Sequence, residues 1–164
     1  MVVFYIDTSV LTKRYKTEDG TDFVDLLFDT VPGSRKHLIA TSAITMIEFV
    51  SVIKRAQKGR LLTQKEAMLA IAAFAKDSEQ ISIRPMDERT LTRALDVVMN
   101  HSIKTLDSIH LGALLELRDT MKPVKDEVIL ISDDDEMYET AKLEKFSVLR
   151  PEDISDLKAI VNRK

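Results

Sequence analysis

Short apolar runs alternate with longer helical patterns along this chain, and that alternation limits the fold more than any other feature. Val2–Ile6 is a continuous apolar run, and Thr21–Thr30 follows as a helix with Phe23, Leu26 and Leu27 on one face. His37–Thr41 reads as a second short strand, before a helix from about Ile44 to Lys58. Gly59 then stands where a left-handed residue commonly ends a helix. Thr63 with Glu66 forms a capping-box pair that opens a helix to about Ser78. Gln80–Arg84 alternates and stops at Pro85, as a strand would, while Asp87–Asn100 and Leu106–Met121 have helical periodicity. Val128–Ile131 is a strand, Glu136–Lys145 a helix, Ser147–Leu149 a last strand and Pro151–Val161 a terminal helix. Strands separated by helices need crossover connections. The expected fold is therefore α/β: one domain over residues 1–164, with a mostly parallel central sheet flanked by helices.

Open parallel sheets bind ligands beyond the carboxyl ends of their strands. The first strand stops on Asp7, with Thr8 and Ser9 directly behind it, and the strand at Val128–Ile131 stops on Ser132, Asp133, Asp134 and Asp135. All of these residue types also cap helices, because a side-chain oxygen accepts an orphan backbone N–H. A short helix from Ser9 to about Tyr15 would use the first set in that way. Asp133 with Glu136 resembles a second capping box, but three consecutive acids exceed what a cap requires.

Two further acids fall among apolar neighbours. Glu48 lies on a helix carrying Ile44, Met46, Ile47, Phe49, Val50, Val52 and Ile53, apolar on nearly every face. A helix apolar all round is buried, and an ionised Glu within it needs a partner or a metal. A place at the helix rim, or an Arg partner, is the structural alternative. Asp107 has the excuse of a first-turn acid, yet it shares a face with Leu111 and Leu114 and so points inward. The three histidines, His37, His101 and His110, lack ligand spacing; there is no cysteine and no phosphate-binding glycine loop. Zinc and covalent catalysis are set aside, and oxygen-only ligands suit Mg²⁺ or Mn²⁺.

Four stretches, "FYIDTSVL", "SAITMIEFVSVI", "LDSIHLGALL" and "LISDDDEMYETA", together resemble the PIN-domain ribonucleases, in particular the VapC-like toxins of toxin–antitoxin pairs. The likeness runs through nearly the whole chain, and "KGRLLTQKEAM" and "FSVLRPEDI" resemble the family's connecting segments. It implies that Asp7, Glu48, Asp107 and Asp134 are the catalytic and metal-ligating acids, with Ser132 as an accompanying hydroxyl where threonine is commoner. It also implies cleavage of RNA, often transfer or ribosomal RNA, a homodimer, and a cognate antitoxin protein.

The net charge is −3, and there is no tryptophan, so the chain as a whole lacks the basic, aromatic footprint of a nucleic-acid binder. Phosphate contacts are expected instead from Lys13, Arg14 and Lys16, or from Lys54, Arg55, Lys58 and Arg60. No apolar stretch reaches membrane-span length, so no membrane partner is expected and a cytoplasmic location is. The alternative to a nuclease is a PIN-like binding module in RNA processing whose acids only cap helices. A receiver domain would need a phosphoacceptor Asp and a Lys at other strand ends. A haloacid-type phosphatase would need Asp-x-Asp where Asp7, Thr8 and Ser9 stand.

Overall fold

A computed structural model of the chain describes residues 1–124 and 126–162. Five strands, β1 (Val2–Ile6), β2 (His37–Ser42), β3 (Ser82–Arg84), β4 (Glu127–Ile131) and β5 (Ser147–Leu149), form one parallel sheet in the order β3-β2-β1-β4-β5. The helices are α1 (Thr8–Leu11), α2 (Thr21–Thr30), α3 (Ile44–Lys58), α4 (Gln64–Asp77), α5 (Glu88–Asn100), α6 (Thr105–Met121), α7 (Asp135–Leu143) and α8 (Ile154–Val161). The α/β expectation therefore holds, with every pairing in the sheet parallel.

The period of two in β1 divides the core. Val2, Phe4 and Ile6 face a cluster that includes Phe23, Leu27, Phe49, Phe74 and Leu157. Val3 and Tyr5 face the other way, against Leu111, Leu114 and Met137. Strands buried on both faces must be apolar throughout, which is why β1 and the buried part of β4 read as continuous runs. Each large aliphatic or aromatic side chain buried here contributes about 1.5–3 kcal/mol. Gly112 lets α6 lie directly on α5: a Cβ there would stand 2.5 Å from the Thr90 carbonyl oxygen.

Several local expectations shift. The left-handed residue after α3 is Arg60 (φ 62°), while Gly59 keeps an ordinary negative φ. The helix end thus continues one residue further before it reverses. Residues 78–80 form a 3₁₀ turn, so β3 begins only at Ser82. The helix expected over Ser9 to Tyr15 is a single α-turn, α1, followed by 3₁₀ residues Thr12–Arg14. The capping box at Thr63 and Glu66 forms as expected.

The chain leaves β1 toward β2 on one side and reaches β4 on the other. The point where the strand order reverses therefore lies between β1 and β4. Ile6 pairs with Ile131, and the Asp7 N–H donates to the Ile131 carbonyl at 3.2 Å. The two acid-bearing strand ends are adjacent.

Candidate active site

A pocket of about 330 Å³ opens at this switch point, lined by Asp7, Glu48, Asp107 and Asp134 together with Thr8 and His110. All four expected acids reach it, from four different elements.

Asp7 both caps α1 and lines the pocket. Its Oδ1 accepts from the Val10 N–H at 3.0 Å, capping α1, and from the Ser9 hydroxyl at 2.7 Å. Its Oδ2 accepts a short hydrogen bond from the Ser132 hydroxyl on the neighbouring strand end. Burial pushes the Asp7 carboxyl above the usual carboxylate range, although these three bonds oppose the shift.

Glu48 is held by two donors. The Thr8 hydroxyl reaches its Oε2 at 2.5 Å, and His110 Nε2 reaches the same oxygen at 2.8 Å. Burial would raise the Glu48 pKa, but the bonds from His110 and Thr8 outweigh it and hold the carboxyl below its ordinary value. An ionised Glu48 only accepts, so Nε2 of His110 carries the proton. In the neutral ring Nδ1 then accepts from the buried Tyr5 hydroxyl at 3.1 Å. The expectation that α3 is buried on all sides is corrected: Ile47 and Val50 are 67% and 38% exposed, and Glu48 sits at the boundary between that face and the pocket. α3 packs against only part of its circumference, so its outer apolar residues have no covering element.

Asp107, in the first turn of α6, does point inward as its face predicts. Its Oδ2 is buried and accepts no hydrogen bond; the nearest cation, Lys104 Nζ, lies 3.8 Å away, beyond hydrogen-bonding reach. Burial, and then the charge of Asp134, push the Asp107 carboxyl up to about 6.

The run of three acids resolves into three destinations. Asp134 is the N-cap of α7, its Oδ1 accepting from the Met137 N–H at 2.9 Å, so the cap falls one residue later than the Asp133–Glu136 pattern suggests. Asp133 turns away to Lys13 at 2.9 Å, and Asp135 to Arg150 at 2.6 Å. Asp134 alone of the three lines the pocket.

Among the described residues, the carboxylates that converge most closely are not the expected quartet. Oxygens of Asp107, Asp134 and Glu136 lie within 4.8 Å of one another, while Asp7 and Glu48 stand beside this triad, held by hydroxyls and His110. Glu136, His110, Thr8 and Lys104 were not legible as site residues. Asp107-x-x-His110 does share a helix face, and Lys104 is three residues before Asp107, so spacing offered a faint signal for both.

These groups fit a hard divalent cation. Every potential ligand in the triad is a carboxylate oxygen, one of them is buried without a hydrogen bond, and like charges this close need a counter-charge. The basic clusters separate. Lys13, Arg14 and Lys16 are engaged with Asp133, with Asp25 and Asp77, and with Glu18, respectively. Lys54, Arg55, Lys58 and Arg60 form no ion pair among the described residues, and Arg55 lines the pocket.

A family model of the PIN domain matches residues 4–143. No curated protein matches the sequence significantly. Among solved structures, the fold is similar to PAE2754 from Pyrobaculum aerophilum, with a TM-score of 0.64, 14% identity and 96% of each chain covered. It is also similar to VapBC2 from Rickettsia felis, solved bound to a DNA fragment from their promoter; there the TM-score is 0.61 and the identity 10%, over 90% of this chain and 98% of that one. A toxin–antitoxin complex from Klebsiella pneumoniae matches with a TM-score of 0.51 and 18% identity, over 90% of this chain and 96% of that one. At such identities these likenesses describe the fold alone. The family match spans most of the chain and includes every acid of the pocket, and on that basis the chain belongs to the PIN domain family.

Proposed function

We propose that this protein is a divalent-metal-dependent endoribonuclease, hydrolysing RNA phosphodiester bonds at the acidic pocket, and that it is the toxin of a toxin–antitoxin pair. One observation carries the metal-dependent reading most directly: the buried, unbonded Oδ2 of Asp107 within a three-carboxylate group at the switch point of a parallel sheet. Asp7, Asp107 and Asp134 would hold Mg²⁺ or Mn²⁺, with Glu136 as a further ligand and Glu48 reaching it directly or through water. When bound, such an ion lowers the pKa of water and neutralises charge on the phosphate.

The chain's own residues divide the remaining work. Ser9 and Ser132 fix both oxygens of Asp7. Thr8 and His110 fix Glu48 as an ionised acceptor at the pocket wall, and Tyr5 orients the His110 ring. Arg55, with Lys54 and Lys58 on the same helix, supplies positive charge for RNA phosphates entering the pocket.

The partner assignments rest on exposed apolar side chains. Leu91, Leu95, Val98 and Met99 form an outward stripe on α5, consistent with a homodimer contact, and Ile47, Val50, Met68 and Leu69 on α3 and α4 offer a surface for an antitoxin. The toxin–antitoxin complex from Klebsiella pneumoniae adds a precedent of the same fold. Among the described residues no helix is long and apolar enough to cross a membrane, and a cytoplasmic location belongs to the same proposal.

The test is RNA incubated with purified protein in Mg²⁺ or Mn²⁺, beside an EDTA control and Asp7→Asn, with the ends of the products sequenced. Cleavage at discrete positions that EDTA and Asp7→Asn both abolish is expected. Undiminished cleavage in EDTA overturns the metal reading. RNA binding without cleavage under any ion condition returns the protein to the rival class, a binding module.

A further inference from the structure

Lys104 is the N-cap residue of α6, and its ammonium stands 3.3 Å from Glu136, 3.4 Å from Asp134 and 3.8 Å from Asp107. These are the three members of the tight carboxylate group, so one side chain touches all of it. Local preference does not explain this placement. A cation at a helix N-terminus opposes the helix dipole, and Lys104 gives its helix no side-chain cap. The side chain is 68% exposed, and its ammonium is paired only with these carboxylates among the described residues. Position and exposure together describe a charge held by the carboxylates alone.

We infer that Lys104 is a tethered counterion of the carboxylate triad, which holds the three acids together when no divalent ion is bound and is displaced when one binds. This inference rests on the metal reading above and adds a residue that sets the affinity of the centre. The ammonium, within 3.3–3.8 Å of all three carboxylates, competes with an incoming ion for the same oxygens and repels it. Binding of Mg²⁺ or Mn²⁺ therefore carries the cost of releasing the lysine. The protein takes up the ion more weakly than its carboxylates alone would, and the apo site is spared part of its mutual repulsion.

Calorimetric titration of Mn²⁺ into the metal-free protein, with no RNA present, tests this directly. Lys104→Ala is expected to bind Mn²⁺ about fivefold more tightly than wild type, the sum of three weak exposed pairs. Lys104→Arg should stay near wild type. Lys158→Ala removes the same charge from α8, outside the pocket lining, and should also leave the affinity unchanged. In EDTA, Lys104→Ala should melt below wild type, and its Mn²⁺-induced rise in Tm should exceed that of wild type. Equal or weaker Mn²⁺ binding by Lys104→Ala, in a wild type that does bind Mn²⁺, overturns the role of Lys104 alone. Equal tightening by Lys158→Ala overturns it too, since bulk charge would then suffice. Wild-type affinity in Asp107→Asn instead overturns the metal reading, and Mn²⁺ uptake by none of the proteins overturns both.

Discussion

Two acidic groups on opposite faces of the sheet use the same residue types to opposite ends. Around Arg14, every charge is answered: Nε donates to Asp77 at 2.8 Å, Nη1 to Asp25 at 2.9 Å, the Tyr15 hydroxyl donates to Asp77 at 2.8 Å, and the guanidinium covers the Phe28 ring. Asp77 ends α4, where the helix dipole disfavours an acid, and Arg14 offsets this. Around Asp107, three carboxylates face one exposed ammonium and one oxygen has no hydrogen bond. The first group joins α2, α4 and the turn after α1 into a fixed unit. The second stores repulsion that a bound cation would relieve. Satisfied charge signals architecture, and unsatisfied charge at a strand end signals a binding site.

The contrast can be broken by exchanging what each group loses. The largest expected effect is on activity: Glu48→Gln should lower RNA cleavage about 10²-fold while the melting curve stays close to wild type. Retention of most activity would return Glu48 to a structural role. Arg14→Ala should act in the reverse way. Losing a partly buried guanidinium that donates to two different carboxylates leaves Asp77 with the Tyr15 hydroxyl but no counter-charge, and should cost about 2 kcal/mol in thermal or urea unfolding, with cleavage per folded molecule unchanged. A variant as stable as wild type would show that the Arg14 network is ornamental.

Asp107→Asn tests the sign that separates the two groups. At pH 7 in EDTA it should stabilise the protein by about 1 kcal/mol after allowance for solvent screening, because a repelled, half-buried charge is removed. The folded-state pKa of Asp107 is raised to about 6, so wild type loses stability as pH rises from the unfolded value of about 4 through that point. The gap between Asp107→Asn and wild type should accordingly open between about pH 4 and 6 and be absent below. Destabilisation by Asp107→Asn at pH 7 would make Asp107 an ordinary first-turn acid. The smallest effect concerns the α3 cations, which form no ion pair among the described residues: Lys54→Ala with Arg55→Ala should weaken RNA binding and flatten its logarithmic salt slope by about 1.4, two phosphate contacts to a single strand. An unchanged slope would leave these residues as a solvated face.

The order of strands and helices was legible because hydrophobic period and caps act over a few residues: the capping box at Thr63, the continuous run of β1 and the inward face of Asp107 all stand as read. Misreadings cluster where direction rather than type mattered. Gly59 and Arg60 differ by one residue in where the chain reverses, and the cap of α7 is Asp134 instead of Asp133. Glu48 reaches the pocket although its helix is not enclosed, because the face it shares with Ile44 and Val52 lines the pocket while Ile47 and Val50 stay exposed.

By itself, then, the sequence determined that strands buried on both faces would pair in parallel and that two of them would end on carboxylates, since alternation and burial are written in residue type. Tertiary structure alone decided which acids are answered. Asp133, Asp134 and Asp135 are chemically identical neighbours, yet Lys13 takes the first, the pocket the second and Arg150 the third. Glu136 and Lys104, unremarkable in the sequence, complete the triad and its counter-charge. Coulombic pairing depends on separation in space, and the turn from β4 through the extended N-cap Asp134 into α7 sends adjacent side chains toward different partners.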